Sequence, residues 1–109
     1  MPHFLIQFSY TPRGVQNMVD HSDLDNAEQA SKMVASLGGK VLGYWFSFGS
    51  FDGVALLEAP DNNVAASIAM AIRGTGQVSR LETIVLLTMN EAKGALQIAG
   101  SATNLPPKE

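Results

Sequence analysis

The chain lacks several features that would assign it to a familiar class of protein. It has no cysteine, which excludes disulfides, thiolate metal sites and a cysteine nucleophile. Its two histidines, His3 and His21, have no spacing that suggests a shared metal site. Its seven basic residues are scattered and form no stripe that could neutralise phosphates, so we expect no nucleic-acid partner.

Signals for export or membrane insertion are also missing from the sequence. The N terminus has neither the basic start nor the cleavage site of a signal peptide. No apolar run approaches the roughly 20 residues that cross a bilayer. We therefore expect a cytoplasmic protein with no membrane partner, and no motif predicts a bound cofactor or metal.

The composition that is present is typical of one globular domain. The 109 residues are 46% hydrophobic and 16% charged, with a net charge of −3. A chain of this length can bury a core without disulfides. We expect a single domain over residues 1–100 and a flexible tail over residues 101–109, which contains two adjacent prolines.

Hydrophobic periodicity predicts the elements of the first half. Residues 3–10 alternate with the period of a strand, and Thr11 followed by Pro12 is typical of a helix start. Apolar residues recur at helical spacing after a second start signal at residues 22–25, and a glycine pair ends that helix. The sequence does not decide whether residues 12–20 belong to this helix or form a separate turn.

The second half begins with two strands joined by a short turn. Residues 41–48 and 53–59 are rich in aromatic and branched side chains, and the 49–52 link predicts an antiparallel hairpin. A helix, a strand over residues 81–89 and a short helix over residues 90–99 follow. The order β-α-β-β-α-β predicts an α+β, ferredoxin-like fold: a four-stranded antiparallel sheet with helices on one face, plus a C-terminal helix.

The length of the hairpin turn decides where the aromatic side chains of its first strand point. A two-residue turn at Gly49-Ser50 sets Tyr44 opposite Ala55, whereas a three-residue turn sets it opposite Leu56. A one-residue shift in this pairing would exchange the faces of Tyr44 and Trp45, so the sequence leaves open which of them faces the helices. We expect Asp52 to bond backbone amides in this turn.

Large apolar side chains occur on both sides of the predicted strands, although two helices can cover only one side. An open face in water normally alternates apolar with polar residues. A face with this many large apolar groups would have a larger exposed apolar area than the surface patches of most soluble monomers. We therefore expect a homodimer or a higher oligomer in which a second copy covers this face. The alternative is that the terminal helix folds over it.

Four short motifs follow one another in an order that resembles a known family. They are Tyr10-Thr11-Pro12-Arg13-Gly14, Leu37-Gly38-Gly39-Lys40, Gly49-Ser50-Phe51-Asp52 and Glu58-Ala59-Pro60-Asp61. From about residue 4 to residue 89 the chain resembles the GYD domain family, with Phe51 where the Gly-x-Tyr-Asp signature has tyrosine. The resemblance implies a subunit of the dimeric α/β barrel type. It supplies no catalytic residues, because the family has no settled activity.

Five residues are candidates for lining a pocket. Tyr10, Tyr44 and Trp45 combine large apolar bodies with polar tips that suit a flat organic ligand. Glu58 in an apolar cavity could act as a general base, and His3 could supply a second polar group. The simpler interpretation gives the aromatic residues to the core, His3 to a strand end and Glu58 to an ion pair.

Three functions are compatible with these features. The one we favour is a homo-oligomeric accessory or binding module for a small apolar or aromatic ligand or a partner protein. The second is a cofactor-independent enzyme, monooxygenase-like or isomerase-like, with Tyr10, Glu58 or His3 in a cavity. Both of these functions need a cavity between two sheets. The third is a purely structural assembly protein with a filled interface.

Overall fold

The computed structural model describes residues 1–23, 25–47 and 49–107. Its elements are β1 (His3–Tyr10), α1 (Pro12–Asp20), α2 (Asn26–Ser36), β2 (Lys40–Phe46), β3 (Gly53–Glu58), α3 (Asn62–Gly74), β4 (Val78–Leu86) and α4 (Met89–Gly100). The strands form one antiparallel sheet in the order β2-β3-β1-β4. This architecture confirms the predicted α+β, ferredoxin-like fold.

One face of the sheet carries the hydrophobic core. Ile6 and Phe8 of β1 are buried on this side, as their alternation with polar residues predicts. They belong to one cluster with Val34 of α2 and Ile68 of α3. The helices therefore cover this face, which we call the helix side, and the opposite face is called the open side.

The first helical segment is divided into two helices, each with its own N-cap. Thr11 caps α1, and its hydroxyl accepts a hydrogen bond from the Gly14 N–H at 3.0 Å. Asp25 caps α2, and its carboxylate accepts from the Glu28 N–H at 3.0 Å. Of the start signal predicted at residues 22–25, position 24 lies outside the described residues.

The last strand begins and ends three residues earlier than the predicted range of 81–89. It starts early because β4 continues to pair with β1 past an irregularity, where Val78 lies opposite Tyr10. It ends early because Thr88 and Glu91 form a capping box that starts α4. The second strand ends at Phe46, and position 48 of its predicted range lies outside the described residues.

The terminal helix does not cover the open side. No residue of α4 is buried, so the alternative in which this helix folds over the second face is wrong. The radius of gyration of 17.4 Å exceeds the roughly 13 Å of a compact domain of this length, because α4 extends away from the sheet. No helix in the described ranges is both long and apolar enough to cross a membrane.

Candidate functional site

A cavity of about 230 Å³ lies on the helix side, between the sheet and helices α1 to α3. Its walls are mostly apolar. The sheet contributes Ile6, Phe8, Tyr10, Tyr44 and Ala55, and the helices contribute Met18, Met33 and Ile72. Of the other polar lining residues, Gln29 and Thr75 are exposed to solvent, which places them where the cavity opens, and Asn26 and Gln77 are half-buried.

Two tyrosines supply a polar point inside this apolar cavity. The hydroxyls of Tyr10 and Tyr44 lie 2.9 Å apart and form a hydrogen bond. The Phe8 ring packs edge-on against Tyr10 and also contacts Tyr44, with ring centroids 5.5 and 5.7 Å apart. The chain has only these two tyrosines, so the site uses both.

The small residues of β3 allow the two tyrosines to meet. Tyr10 lies on β1 and Tyr44 on β2, with β3 between them. Ala55 lies opposite Tyr44, and a Cβ at Gly53 would lie only 2.6 Å from the Phe8 ring. The rings of the neighbouring strands can therefore lie over β3, which large side chains at these positions would prevent.

Both tyrosines are held in their neutral form. Burial raises the pKa of Tyr10, and the hydrogen bond with Tyr44 and the negative charge of Asp52 raise it further. Burial also raises the pKa of Tyr44, while its hydrogen bond with Tyr10 acts in the opposite direction. The pair therefore offers phenolic O–H groups at neutral pH rather than a tyrosinate base.

These pKa directions predict a loss of stability in alkali. Below the ordinary tyrosine pKa of about 10, both the folded and the unfolded chain keep their phenols protonated. Above it the unfolded chain ionises first, because the folded pKa is raised, and the free energy of unfolding falls as the pH rises. Urea unfolding at pH 8, 10 and 11 should show this loss. A Tyr10→Phe, Tyr44→Phe variant should lose less over the same range; an equal loss would contradict the prediction.

The other three candidates lie on the open side. His3 and Glu58 face each other on β1 and β3, with the His3 Nε2 atom 3.4 Å from a Glu58 carboxylate oxygen. Trp45 is 53% exposed, and its ring packs over Gly43, where a Cβ would overlap it. The structure thus divides the five candidates into the tyrosine pair, the His3–Glu58 pair and an isolated Trp45.

The remaining polar residues considered from the sequence, Asp52 and His21, each form a hydrogen bond with the backbone. Asp52 does bond a backbone amide, but the amide is that of Tyr10 on β1, at 2.9 Å, rather than one in its own turn. His21 follows α1, and its Nδ1 lies 3.0 Å from the Asn17 carbonyl oxygen. Among the described residues, no three acidic or histidine side chains gather in a way that could hold a metal ion.

Part of the cavity lining carries no signal in the sequence that marks it as a site. Met33 and Ile72 carry the helical spacing of buried residues, which predicts core but gives no sign of an empty volume beside them. Met18 lies in the segment that the sequence could not assign. The abundance of alanine in α2 and α3 is the one available signal, because small side chains leave room under a sheet.

The fold and cavity define a ferredoxin-like domain with an aromatic pocket beneath its sheet, and the sequence comparison then gives the family. The sequence model of the GYD domain matches residues 4–96, and the chain belongs to the GYD domain family. Among solved structures, it is similar to an uncharacterized NIPSNAP domain protein from Burkholderia xenovorans. The two share 12% identity, the match covers 98% of this chain and 100% of the other, and the TM-score is 0.48. No curated protein matches this chain.

Proposed function

We propose that this protein is a homo-oligomeric module that binds a small, neutral, mostly apolar ligand in the helix-side cavity. The observation that carries the proposal is the hydrogen-bonded pair of Tyr10 and Tyr44 within an apolar lining. Such a lining with a few placed polar groups is typical of small-molecule sites, where apolar contact gives affinity and the polar groups give orientation.

The volume of the cavity limits the size of the ligand. A cavity of about 150 Å³ lined by apolar side chains is known to hold benzene. At about 230 Å³, this cavity suits a ligand of about ten non-hydrogen atoms, such as one substituted ring. The aromatic rings of Phe8 and Tyr44 favour a flat ligand over a branched one.

The polarity of the cavity limits the chemistry of the ligand. No acidic, basic or imidazole side chain is among the described residues that line it, so a charged ligand would lose its hydration without gaining a counter-ion. Either hydroxyl of the tyrosine pair can donate the hydrogen bond that joins them. The hydroxyl that accepts this bond keeps its own O–H free to donate to a ligand carbonyl or hydroxyl oxygen.

The open side supports the oligomeric part of the proposal. Gln7 and Glu82 lie at one end of this face, and beside them register places six large apolar side chains next to one another across the strands: Leu5, Trp45, Val54, Leu56, Ile84 and Leu86. Each would contribute roughly 1.5–3 kcal/mol on full burial. A second copy with the same face is the occupant we propose, in a two-fold arrangement.

The enzyme hypothesis receives less support from the site. A cofactor-independent reaction of the kind considered from the sequence needs a base near the ligand. The hypothesis places Tyr10, Glu58 or His3 in a cavity between two sheets, but His3 and Glu58 lie on the open side, with the His3 Nε2 atom 3.4 Å from a Glu58 carboxylate oxygen, whereas Tyr10 lies on the helix side. The three groups therefore do not share one face of the sheet. The tyrosine pair offers protons and orientation, which fits binding better than proton abstraction.

Three similar one-ring compounds test the proposal directly. Acetophenone has a carbonyl oxygen, ethylbenzene lacks one, and benzoate carries a charge. We expect protein amide NMR signals from the cavity residues to shift on titration with acetophenone and ethylbenzene, with tighter binding of acetophenone. Benzoate should cause no saturable shift. Equal binding of benzoate, or no saturation by acetophenone in the millimolar range, would contradict the proposal.

Removing one hydroxyl should separate the polar contact from the apolar ones. Tyr44→Phe should weaken acetophenone binding about three- to tenfold, because one hydrogen bond contributes about 0.5–1.5 kcal/mol. Ethylbenzene binding should stay within about twofold, because the apolar lining is retained. Val19→Ala, at an exposed residue of α1, serves as a control that should change neither affinity. An unchanged acetophenone affinity in Tyr44→Phe would remove the tyrosine pair from the site.

A further inference from the structure

The carboxylate of Asp52 replaces a strand carbonyl at the end of β1. The regular pairing of β1 with β3 ends at Phe8 and Gly53. Beyond it, the Asp52 N–H donates to the Phe8 carbonyl at 2.9 Å, and the Tyr10 N–H donates to the Asp52 carboxylate at 2.9 Å. The amide of Tyr10 is therefore bonded by a side chain from the hairpin turn.

On its other flank, Tyr10 is not held by a regular ladder either. The pairing of β1 with β4 shifts between Ser9 and Tyr10. Beyond the shift, Val78 lies opposite Tyr10, and the Thr11 N–H donates to the Gln77 carbonyl at 2.9 Å. On the β3 side, where the regular pairing of β1 has already ended, the position of the Tyr10 backbone depends on its bond to Asp52.

The 49–52 turn that carries Asp52 is itself anchored to the far edge of the sheet. Arg80 of β4 donates a hydrogen bond to the Ser50 carbonyl oxygen, and its guanidinium carbon lies 4.1 Å from the centre of the Phe51 ring. The Ser47 hydroxyl also donates to the Phe51 carbonyl at 2.6 Å. The ring at position 51 thus has a packing role that needs no hydroxyl, which explains why phenylalanine can replace the tyrosine of the signature.

We propose that the 49–52 turn is a positioning device for the ligand site, in which Asp52 holds Tyr10 so that its hydroxyl meets that of Tyr44. This inference rests on the proposed function for its ligand but not for its geometry. Asp52 acts through Tyr10 and is a positioning residue rather than a ligand contact, because it is not part of the cavity lining. The signature aspartate then belongs to the binding site, although it lies outside the cavity.

The two tyrosines give a test that needs no ligand. Both belong to the pair, so absorbance at 295 nm during an alkaline titration reports only on this site. We expect Asp52→Ala to begin ionising at lower pH than the wild type, because the negative charge is removed and the pair loosens. The matched control is Asp61→Ala, which removes a carboxylate that bonds the Val64 N–H at 2.9 Å at the start of α3. Its tyrosine titration should match that of the wild type.

Binding of acetophenone supplies the second readout. Asp52→Ala should lose about three- to tenfold in affinity, as Tyr44→Phe does, whereas Asp61→Ala should stay within about twofold. Asp52→Asn keeps an oxygen that can accept from the Tyr10 N–H, so its affinity should stay near that of the wild type while its titration begins at lower pH. This variant separates the charge of Asp52 from its hydrogen bond. If Asp52→Ala does not fold, Asp52→Glu takes its place, because it keeps the charge but moves the carboxylate by one methylene and should lose affinity for acetophenone.

The outcomes separate this inference from the proposed function. An Asp52→Ala titration and affinity equal to those of Asp61→Ala would overturn the positioning role and leave the binding site intact. An altered titration in a protein that does not bind acetophenone would overturn the proposed ligand class and support the positioning role. If Asp52→Glu is used instead, a titration and an acetophenone affinity both equal to those of the wild type would overturn the inference.

Discussion

Leu56→Lys is expected to convert the oligomer to monomers, or to unfolded chains if the subunit is not stable alone. Leu56 lies on the open side, between Leu5 of β1 and Gly43 of β2. A two-fold dimer carries the substitution in both subunits, so the interface loses two leucine side chains and gains two charges. The loss of leucine burial alone is about 4 kcal/mol, which corresponds to a roughly thousandfold rise in the dissociation constant. Native mass spectrometry at micromolar concentration would measure it.

The control for this substitution is Met70→Lys. Met70 is 71% exposed on α3, on the helix side, so a charge there should not affect assembly through the open side. Trp45→Ala is a milder variant and should weaken the dimer without abolishing it, because Trp45 lies on the open side. A wild-type protein that is monomeric, or a Leu56→Lys protein that keeps the wild-type mass, would contradict the proposed assembly.

Gly14→Ala is expected to destabilise the protein by about 2–3 kcal/mol. Gly14 is buried in the first turn of α1, and a Cβ at this position would overlap the carbonyl oxygen of Gln77. This oxygen also accepts the bond from the Thr11 N–H, so the helix cannot move away without losing that bond. Thermal unfolding should show a melting temperature at least about 8 °C lower.

A second glycine in a helix provides a matched control for this steric argument. Gly94 lies within α4, where a Cβ would meet no atom within 4 Å. Gly94→Ala should leave the melting temperature within about 2 °C of the wild type, since α4 is not packed on the core. Equal losses in both variants would show that the close approach of α1 to Gln77 is not what requires glycine.

The directions of the core side chains could be predicted from the sequence only where the strand alternates. β1 does so, and its buried residues Phe4, Ile6 and Phe8 follow from the pattern. β2 and β3 have apolar residues on both sides, so only the pairing across the turn decides their faces. The structure pairs Tyr44 with Ala55, which turns Tyr44 to the helices and Trp45 away from them.

The cavity could not be predicted, because its volume depends on how closely helices approach the sheet. Ile68 packs fully against the core, whereas Ala30 and Ala55 leave space beside it. Hydrophobic periodicity marks all three positions as apolar, but it does not show how much volume their side chains fill. Choosing candidates by residue type therefore found Tyr10 and Tyr44 but also included three residues on the opposite side.

The neighbouring positions Tyr44 and Trp45 place two different chromophores on opposite sides of one sheet. The single tryptophan lies on the open side, where its fluorescence emission should move to shorter wavelength when a second copy excludes water from it. The tyrosines lie on the helix side and absorb independently of that event. One sample of the unmodified protein can therefore report subunit association through emission and events in the cavity through absorbance, without an added label.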